Sequence, residues 1–536
     1  MLSAPVFAGL APCVPVMWLP SPPDASLCIA FLCDVAVVVT ARRRLGKLFP
    51  LCSSCDFAPN RDLQLAPGHI ALRRGDRIEI CPFRVSPRWS GNGRLQSQAQ
   101  RRERKHLRHR QMSLTWSISG SRSGTVLIFG SCVAALILRA PYTVLNPQLV
   151  AEDGSVYFLD QLGRFLPLLF APHQGYFVVA PRVLAAVASI FPVAWAPFFF
   201  SVGAIVASAA CVAYFCQRAR TLFHPLASLA VIALLPTLGG ELFGVTANIQ
   251  WFGQLVVVAA ALIPRPAAAP SSSPVAILQV IVIAAMALTG PYAIFCAHLL
   301  FGLLLIQKFA FLTRFRSLAD ALTRYFESLD WVCLTVVVVA GLAHMIMALN
   351  SPALPTHFPS PSLSEFFASV AADGIQVHMF GLIPMGHIGF LCAEAGLIGV
   401  LLLAPAGSNE RLSCVVLLAY GLLCLLAGYV KMMTYGMSTA SFEYIDRYFF
   451  ALVIFQWLVV WRIVDHLVAR KTAVGICLLV GVMAGLAYRS PHLFPVAPPD
   501  MHWSAYAPRI AAGEAVDVPI NPIPWQIHVP AREERK

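Results

Sequence analysis

Long apolar stretches recur along most of this chain, and they constrain its fold more than any other feature. Apolar residues make up 58% of the sequence and charged residues only 12%, and the mean hydropathy is +0.71. A soluble domain cannot bury that much apolar surface, whereas a membrane-crossing helix needs about twenty apolar residues. The sequence therefore predicts an all-α polytopic membrane protein.

About eleven transmembrane helices are expected from residue 112 onward. The segment Ala180–Phe191 is either an amphipathic helix at the membrane interface or a further span, which would invert the topology after it. The expected spans are 124–139, 193–215, 225–239, 251–263, 275–290, 292–307, 331–349, 386–404, 411–430, 448–464 and 472–488.

Loop charge orients these spans. Basic residues fall in alternate loops, such as Arg218 and Arg265, while the loops at 240–250 and 350–385 contain no lysine or arginine. Basic loops face the cytoplasm in membrane proteins. The chain is therefore predicted to have a cytoplasmic N-terminus and to expose three kinds of segment on the other side. These are the first outer loop (141–192), the loops at 350–385 and 431–447, and a tail from residue 489 to residue 536.

The first 111 residues differ from the rest. They contain 17 lysines and arginines against 7 acidic residues, and 6 of the 15 cysteines. The Cys52 and Cys55 pair has no second pair at zinc-ligand spacing, so it indicates incidental cysteines. We expect residues 1–111 to be either an upstream mistranslation preceding a start at Met112 or a disordered basic extension. Because most of the net charge of +13 lies here, outside the apolar body, the sequence does not indicate nucleic-acid binding.

Two adjacent carboxylates, Glu152 and Asp153, follow the first predicted span. A carboxylate here could deprotonate a hydroxyl group or hold a divalent cation such as Mg²⁺ or Mn²⁺. Two neighbouring carboxylates do not share one proton comfortably, so we expect one to react and the other to orient it. The alternative is a solvated turn at a helix start.

Two arginines, Arg182 and Arg447, lie among apolar residues at the same predicted face. Planar guanidinium groups suit phosphate oxygens, so the pair predicts contacts with a lipid phosphate. For either arginine alone, an interfacial anchor or a partner for Asp446 and Glu443 is the simpler interpretation.

Polar residues also gather at the start of the predicted span at 251–263. Asn248, Gln250 and Trp251 combine amide groups with a flat apolar ring, which suits a sugar, and Glu241 precedes them. Trp251 alone is typical of a membrane interface.

Four ionisable residues lie within predicted spans: His298, His344, His387 and Glu394. Such residues are candidates for a proton relay, but no second carboxylate lines up with them. We therefore expect these four side chains to be packed and hydrogen-bonded within the structure. The proline-rich tail is predicted to fold back over the outer face as a short β-like segment, with Trp525 packed on the loops there.

Five short motifs in residues 112–536 resemble those of the GT-C superfamily of integral-membrane glycosyltransferases, in particular its uncharacterised bacterial members. The motifs are Ala151-Glu-Asp-Gly154, Gly175-Tyr-Phe-Val-Val-Ala-Pro-Arg182, Thr246-Ala-Asn-Ile-Gln-Trp251, Asp446-Arg-Tyr-Phe449 and Ile520-Asn-Pro-Ile-Pro-Trp525.

The resemblance implies sugar transfer from a polyprenyl-phosphate donor to a glycan, lipid or protein acceptor at the outer face of the bacterial inner membrane. Asp153, with Glu152, would be the catalytic base or metal ligand. Arg182, Arg447, His173 and Tyr176 would bind the donor phosphate, and Glu241, Asn248, Gln250 and Trp251 would bind the sugar. The adjacent Glu-Asp pair replaces a spaced Asp-x-Asp, which leaves metal dependence open.

Three other functions remain open from the sequence. A lipid-linked saccharide transporter or flippase would need a polar path through the bilayer, and intramembrane charges are sparse. A glycan polymerase or ligase would depend on outer arginines and a histidine rather than on Glu152 and Asp153. A non-enzymatic assembly subunit is the third.

Overall fold

The computed structural model describes residues 69–74, 77–82, 122–164, 168–233, 243–265, 274–313, 315–351, 408–434, 446–469 and 497–534. The chain divides into two units, one of which comprises residues 18–116. In that unit the described residues form an antiparallel hairpin of β1 (His69–Arg74) and β2 (Arg77–Pro82). The predictions for the rest of residues 1–111, including Cys52 and Cys55, lie outside the described residues.

The other unit is mostly helical, as the hydropathy pattern predicts. Prolines stand at or next to several helix starts, where their missing N–H group costs nothing; Pro225 and Pro274 are examples. The helices are α1 (Arg122–Arg139), α2 (Val179–Ala188), α3 (Ala196–Arg218), α4 (Pro225–Ala233), α5 (Ile249–Leu262), α6 (Pro274–Ala287), α7 (Tyr292–Leu312), α8 (Arg316–Ser328), α9 (Trp331–Asn350), α10 (Ser408–Thr434), α11 (Asp446–Ala469) and α12 (Trp503–Ala512).

Five described helical segments are long and apolar enough to cross a membrane, which supports the prediction of a membrane protein. They are Val193–Thr221, Tyr292–Leu312, Trp331–Asn350, Asn409–Gly428 and Arg447–Asp465. Apolar helices also occupy the predicted spans at 124–139, 251–263 and 275–290, but they are shorter. The span at 225–239 is described only as far as Ala233, and those at 386–404 and 472–488 lie outside the described residues.

Helix α2 decides between the two interpretations of Ala180–Phe191. It has ten residues, which rise only about 15 Å, and the hydrocarbon layer is about 30 Å thick. This length favours the interpretation of a helix at the membrane interface over a further span. One face of α2, with Arg182 and Ala185, is buried, while Val183 and Val187 on the other face are exposed.

The centre of the helical bundle is α5, whose residues 255–262 are all buried. Glycines allow its neighbours to pack closely on one another. A Cβ atom added at Gly421 in α10 would lie 2.7 Å from Leu452 Cα in α11, and one at Gly341 in α9 would lie 2.8 Å from Ala293 O in α7. Small residues at such crossings let helix backbones approach without a side chain between them.

One end of the bundle holds a cluster of charges. Buried Arg218, at the end of α3, donates to Ala259 O at 3.3 Å and to Ile263 O at 3.4 Å, both at the C-terminus of α5. A cation is favourable there because the last carbonyl groups of a helix carry partial negative charge. Asp330 lies 4.0 Å from Arg218 and 3.7 Å from Arg265. Residues from three predicted cytoplasmic loops thus meet at this end.

The tail forms a compact segment after α12. Strands β3 (Val516–Pro519) and β4 (Gln526–Val529) pair antiparallel, and α12 ends at Gly513, whose φ of +89° is the left-handed conformation common after a helix. The predicted β-like segment is present as this hairpin, and the residue Asn521 between its strands pairs with Val150 of the 141–192 loop. That the tail lies over the outer face stays a prediction. The all-α prediction is wrong in this detail, because the described residues include two β-hairpins.

A second apolar core joins the tail to that loop. It contains Tyr157 and Phe158 from the loop, Trp503 from α12 and Ile527 from β4, and Trp525 packs against it as predicted. The rings of Phe158 and Trp503 meet edge-on with centroids 5.3 Å apart.

Candidate functional site

The acidic pair lies at the start of a π-helical turn, Asp153–Phe158, where Asp153 is buried and Glu152 is half-buried. Each carboxylate oxygen of Asp153 accepts one backbone N–H group at 2.9 Å: Oδ2 from Thr246 and Oδ1 from Ala247. These two N–H groups open a short 3₁₀ turn, Thr246–Asn248, that runs directly into α5. Asp153 therefore caps the N-terminus of the central helix from a distant part of the chain.

The surroundings of Asp153 alter its acidity. The pKa of its carboxyl group is raised to about 8, mainly by burial. The N–H groups of Thr246 and Ala247 lower it, and the charge of Glu152 adds a smaller increase. The N-terminal end of a helix favours a negative charge, which accounts for the opposing effect. The proton of Asp153 is thus poised near neutral pH.

Tyr157 connects the acidic pair to Arg182. Its hydroxyl group interacts electrostatically with Glu152, Asp153, Arg182 and Tyr176, and burial raises its pKa well above the usual value. The guanidinium carbon of Arg182 lies 5.5 Å from the centre of the Tyr157 ring.

Arg182 also forms an ion pair within the first loop. Its Nη1 donates to Asp160 Oδ2 at 2.6 Å, and its buried Nε has no hydrogen-bond partner within the described ranges. The arginine side chain is only 4% exposed, whereas that of Asp160 is 42% exposed. Arg182 is therefore the partner of Asp160, a carboxylate that the sequence analysis did not assign to it.

Aromatic residues surround the second predicted arginine. The guanidinium carbon of Arg447 lies 5.6 Å from the centre of the Tyr448 ring. The Trp251 ring meets the rings of Tyr292 and Tyr448 edge-on, with both centroid distances 5.3 Å. Tyr292 interacts electrostatically with Arg447 and with Tyr176.

Tyr176 lies between these two groups, within electrostatic range of both Tyr157 and Tyr292. The structure thereby brings together side chains from the first loop, from the starts of α5 and α7, and from the start of α11. We call this set the loop–helix cluster. It consists of Glu152, Asp153, Tyr157, Tyr176, Arg182, Trp251, Tyr292, Arg447 and Tyr448.

The other predicted site residues occupy varied positions. His173 pairs with Tyr176 across a tight turn and lies with its ring centre 6.4 Å from that of Tyr157. Asn248 is buried at the entrance to α5, and Gln250 Oε1 lies against Gly290. Glu241 lies outside the described residues.

The intramembrane histidines that are described have structural contacts, as expected. His344 is buried, its Nδ1 accepts the N–H group of Phe177, and its Nε2 lies 3.0 Å from Ala287 O. His298 Nδ1 lies 2.8 Å from Ile294 O, one turn earlier in its own helix. His387 and Glu394 lie outside the described residues.

Sequence reasoning missed Tyr292 and assigned no role to Tyr448. The signal for Tyr292 is the Gly290-Pro291 break between two apolar stretches. With an odd span count, this short turn falls on the same face as the first loop. The structure places it there, because Gly290 N–H donates to Phe177 O at 2.9 Å and Val178 pairs with Thr289.

A divalent cation fits the described part of this site poorly. Both Asp153 oxygens already accept N–H groups, and within the described ranges no three His, Cys, Asp or Glu side chains are grouped as metal ligands. Hard cations of this kind take six or more oxygen ligands.

Comparisons with known proteins return no match. No protein-family model fits the chain, and neither a curated protein nor a solved structure is significantly similar to it.

Proposed function

We propose that this protein is a GT-C-type glycosyltransferase of a bacterial inner membrane, with about eleven spans, a cytoplasmic N-terminus and an extracytoplasmic tail. It transfers a sugar from a polyprenyl-phosphate donor to a glycan, lipid or protein acceptor. One observation carries the proposal: the loop–helix cluster joins a half-buried carboxylate, two arginines and an aromatic group at one end of an apolar helical bundle.

Glu152 is the reacting carboxylate in this proposal, and Asp153 orients it. Asp153 uses both oxygens to cap α5, whereas no hydrogen bond joins the Glu152 carboxylate to the described residues. The roles are thus the reverse of those that the resemblance implies. A base must reach the proton that it removes, and a carboxylate already held by two N–H groups is poorly placed to do so.

The reaction is a displacement at the anomeric carbon of the donor. Glu152 removes the proton of an acceptor hydroxyl group, and the acceptor oxygen forms a bond to the anomeric carbon. The bond between that carbon and the phosphate oxygen breaks, and the electron pair leaves with the polyprenyl phosphate. Arg182 and Arg447 stabilise the negative charge that develops on the phosphate.

The cluster also suits the two ends of such a donor. A polyprenyl chain approaches between apolar helices, while its phosphate stays at the membrane surface. Trp251 and Tyr292 are buried and pack edge-on with Tyr448 in this arrangement. The buried indole N–H group of Trp251 has no hydrogen-bond partner among the described residues. A sugar hydroxyl group would satisfy that donor.

The test measures transfer of radiolabelled sugar from polyprenyl-phosphate donors in membranes. We compare wild-type protein with Glu152→Gln and Asp153→Asn at equal protein abundance. Glu152→Gln is expected to lower kcat by about 10²- to 10⁴-fold, the usual contribution of a general base, with little change in KM. Asp320→Asn is the carboxylate control, because Asp320 is exposed in α8 and lies outside the loop–helix cluster.

Wild-type transfer that survives Glu152→Gln would exclude this residue as the base. Survival of transfer in both Glu152→Gln and Asp153→Asn would remove the acidic pair from the chemistry altogether. If no donor in a panel of sugars supports wild-type transfer, while flipping of a labelled lipid-linked saccharide depends on this protein, the transporter alternative replaces the enzyme.

A further inference from the structure

The acidic turn contains a strained residue that the C-terminal tail contacts. Ala151 has a φ of +43°, a backbone conformation that residues other than glycine rarely adopt. Its N–H group donates to Asn521 O at 2.6 Å, and the N–H group of Asn521 donates to Leu149 O at 3.2 Å. Val150 and Asn521 thus pair as neighbouring parallel strands do. The chain holds this disfavoured turn by pairing it with a segment about 370 residues away.

A buried side chain makes a second attachment. Gln148 Nε2 donates to Asp500 Oδ1 at 3.2 Å and to Asn146 Oδ1 at 2.9 Å, while its Oε1 accepts the N–H group of Met501 at 3.0 Å. Gln148 lies just before the acidic turn. Its amide group therefore connects this part of the loop to the start of the tail through both a donor and an acceptor.

The apolar contact between the two segments is equally tight. Gly154 directly follows the acidic pair, and a Cβ atom added there would lie 3.1 Å from Cδ1 of Ile520 and 3.6 Å from Cβ of Leu149. Real Cβ atoms rarely approach other atoms this closely, so a larger residue at 154 must displace Ile520 or the turn.

We propose that the tail segment 497–529 is a positioning device for the acidic pair. The segment holds the Ala151 turn. The turn places Asp153 on the N-terminus of α5, with Glu152 half-buried beside it. The expected effect on catalysis rests on the proposed glycosyl transfer, whereas the effect on the turn itself does not.

The test is amide hydrogen exchange of the full chain in detergent, compared with the kinetics of transfer. The valine side chain in Gly154→Val would collide with Ile520. In the double variant Gly154→Val with Ile520→Ala, the smaller alanine side chain relieves that collision. Gln148→Leu removes the polar attachment and replaces it with an apolar side chain of similar size. Gly130→Ala is the matched control, because nothing lies within 4 Å of a Cβ atom at that position.

Gly154→Val and Gln148→Leu are each expected to speed exchange at the Ala151, Asp153, Thr246 and Ala247 amides by about tenfold or more. The middle of α5 should exchange as in the wild type, and Ile520→Ala should restore protection to Gly154→Val. If the wild-type protein transfers sugar from the donor, kcat of the variants should fall in proportion to the loss of amide protection, while KM changes little. A merely structural defect would instead speed exchange throughout the bundle.

Unchanged exchange of these four amides in both variants overturns the proposal, whatever the catalytic result. If wild-type protein transfers no sugar, the proposed function fails, but the exchange comparison still decides whether the tail holds the turn. Should Gly154→Val unfold the whole bundle, Gln148→Leu decides by the same measurement: local loss of protection supports the proposal, and an unchanged pattern refutes it.

Discussion

The Asp153 carboxylate accepts the N–H group of Thr246 at 2.9 Å, across 93 residues of sequence. This contact joins the first outer loop to the N-terminus of the most deeply buried helix. It makes the acidic turn part of the bundle rather than an independent loop. The stability and acidity of the site therefore depend on one hydrogen-bonded carboxyl group.

Asp153→Asn is expected to destabilise the protein by about 1–2 kcal/mol, the usual loss on removing a helix cap. Asparagine keeps one acceptor oxygen but turns an NH₂ group toward the second backbone N–H, whereas a protonated aspartic acid still has an acceptor lone pair on each oxygen. Thermal unfolding in detergent measures the change. Glu152→Gln should leave the unfolding temperature unaltered, and equal stability of Asp153→Asn and wild type would contradict the assigned cap.

Stability should also fall as the pH rises. The pKa of Asp153 is raised by burial to about 8 in the folded state, from about 3.9 in an unfolded chain. The folded state therefore binds the extra proton between these values, and its stability is greatest below about pH 4. The loss amounts to at most about 1.4 kcal/mol per pH unit and ends near pH 8. Urea or thermal unfolding from pH 5.5 to 9 tests this, and Asp153→Asn should flatten the difference.

The Arg182–Asp160 pair predicts an asymmetry between its two partners. Asp160→Asn leaves a buried guanidinium group without its counter-charge, which costs about 1–3 kcal/mol. Arg182→Met leaves a carboxylate that is 42% exposed and can be hydrated, so it should cost less. Thermal unfolding of the two variants measures the difference. A larger loss in Arg182→Met would show that ring packing on Tyr157 outweighs the ion pair.

The close helix contacts predict that alanine substitutions at different glycines will change the stability of the bundle by different amounts. Gly421→Ala and Gly341→Ala place a methyl group 2.7–2.8 Å from neighbouring backbone atoms, so each should destabilise the bundle by about 1–3 kcal/mol through overpacking. Gly302→Ala meets nothing within 4 Å and should be neutral or stabilising by about 0.5–1 kcal/mol, since alanine favours helix. Unfolding in detergent compares the three variants.

Trp251→Phe separates a binding role from a packing role. It removes a buried N–H group that has no hydrogen-bond partner in the part of the chain that the structure describes, so folding stability should hardly change. If that N–H group binds a sugar hydroxyl, kcat/KM for the donor should fall by about tenfold, the value of one hydrogen bond to a neutral group. An unchanged kcat/KM would remove Trp251 from the sugar contacts.

The sequence alone predicted the positions of most described helices and the β-like tail. Apolar composition over about twenty residues is a local property, and it decides where a chain crosses a membrane regardless of what packs against it. Alternating loop charge then grouped Arg218 and Arg265, and the structure places both at the same end of the bundle. Helix α8 was missed because it is amphipathic and too polar to resemble a span.

The roles within the site were decided by tertiary structure. Adjacent carboxylates look alike in a sequence, and only contact with the N–H groups of Thr246 and Ala247 distinguishes Asp153 from Glu152. Tyr292 joins the site, and Asn521 holds the acidic turn, through contacts between segments far apart in the chain. Hydropathy and charge are summed along the chain, whereas hydrogen bonds and packing depend on which distant segments meet, and that is settled only when the helices and the tail are assembled.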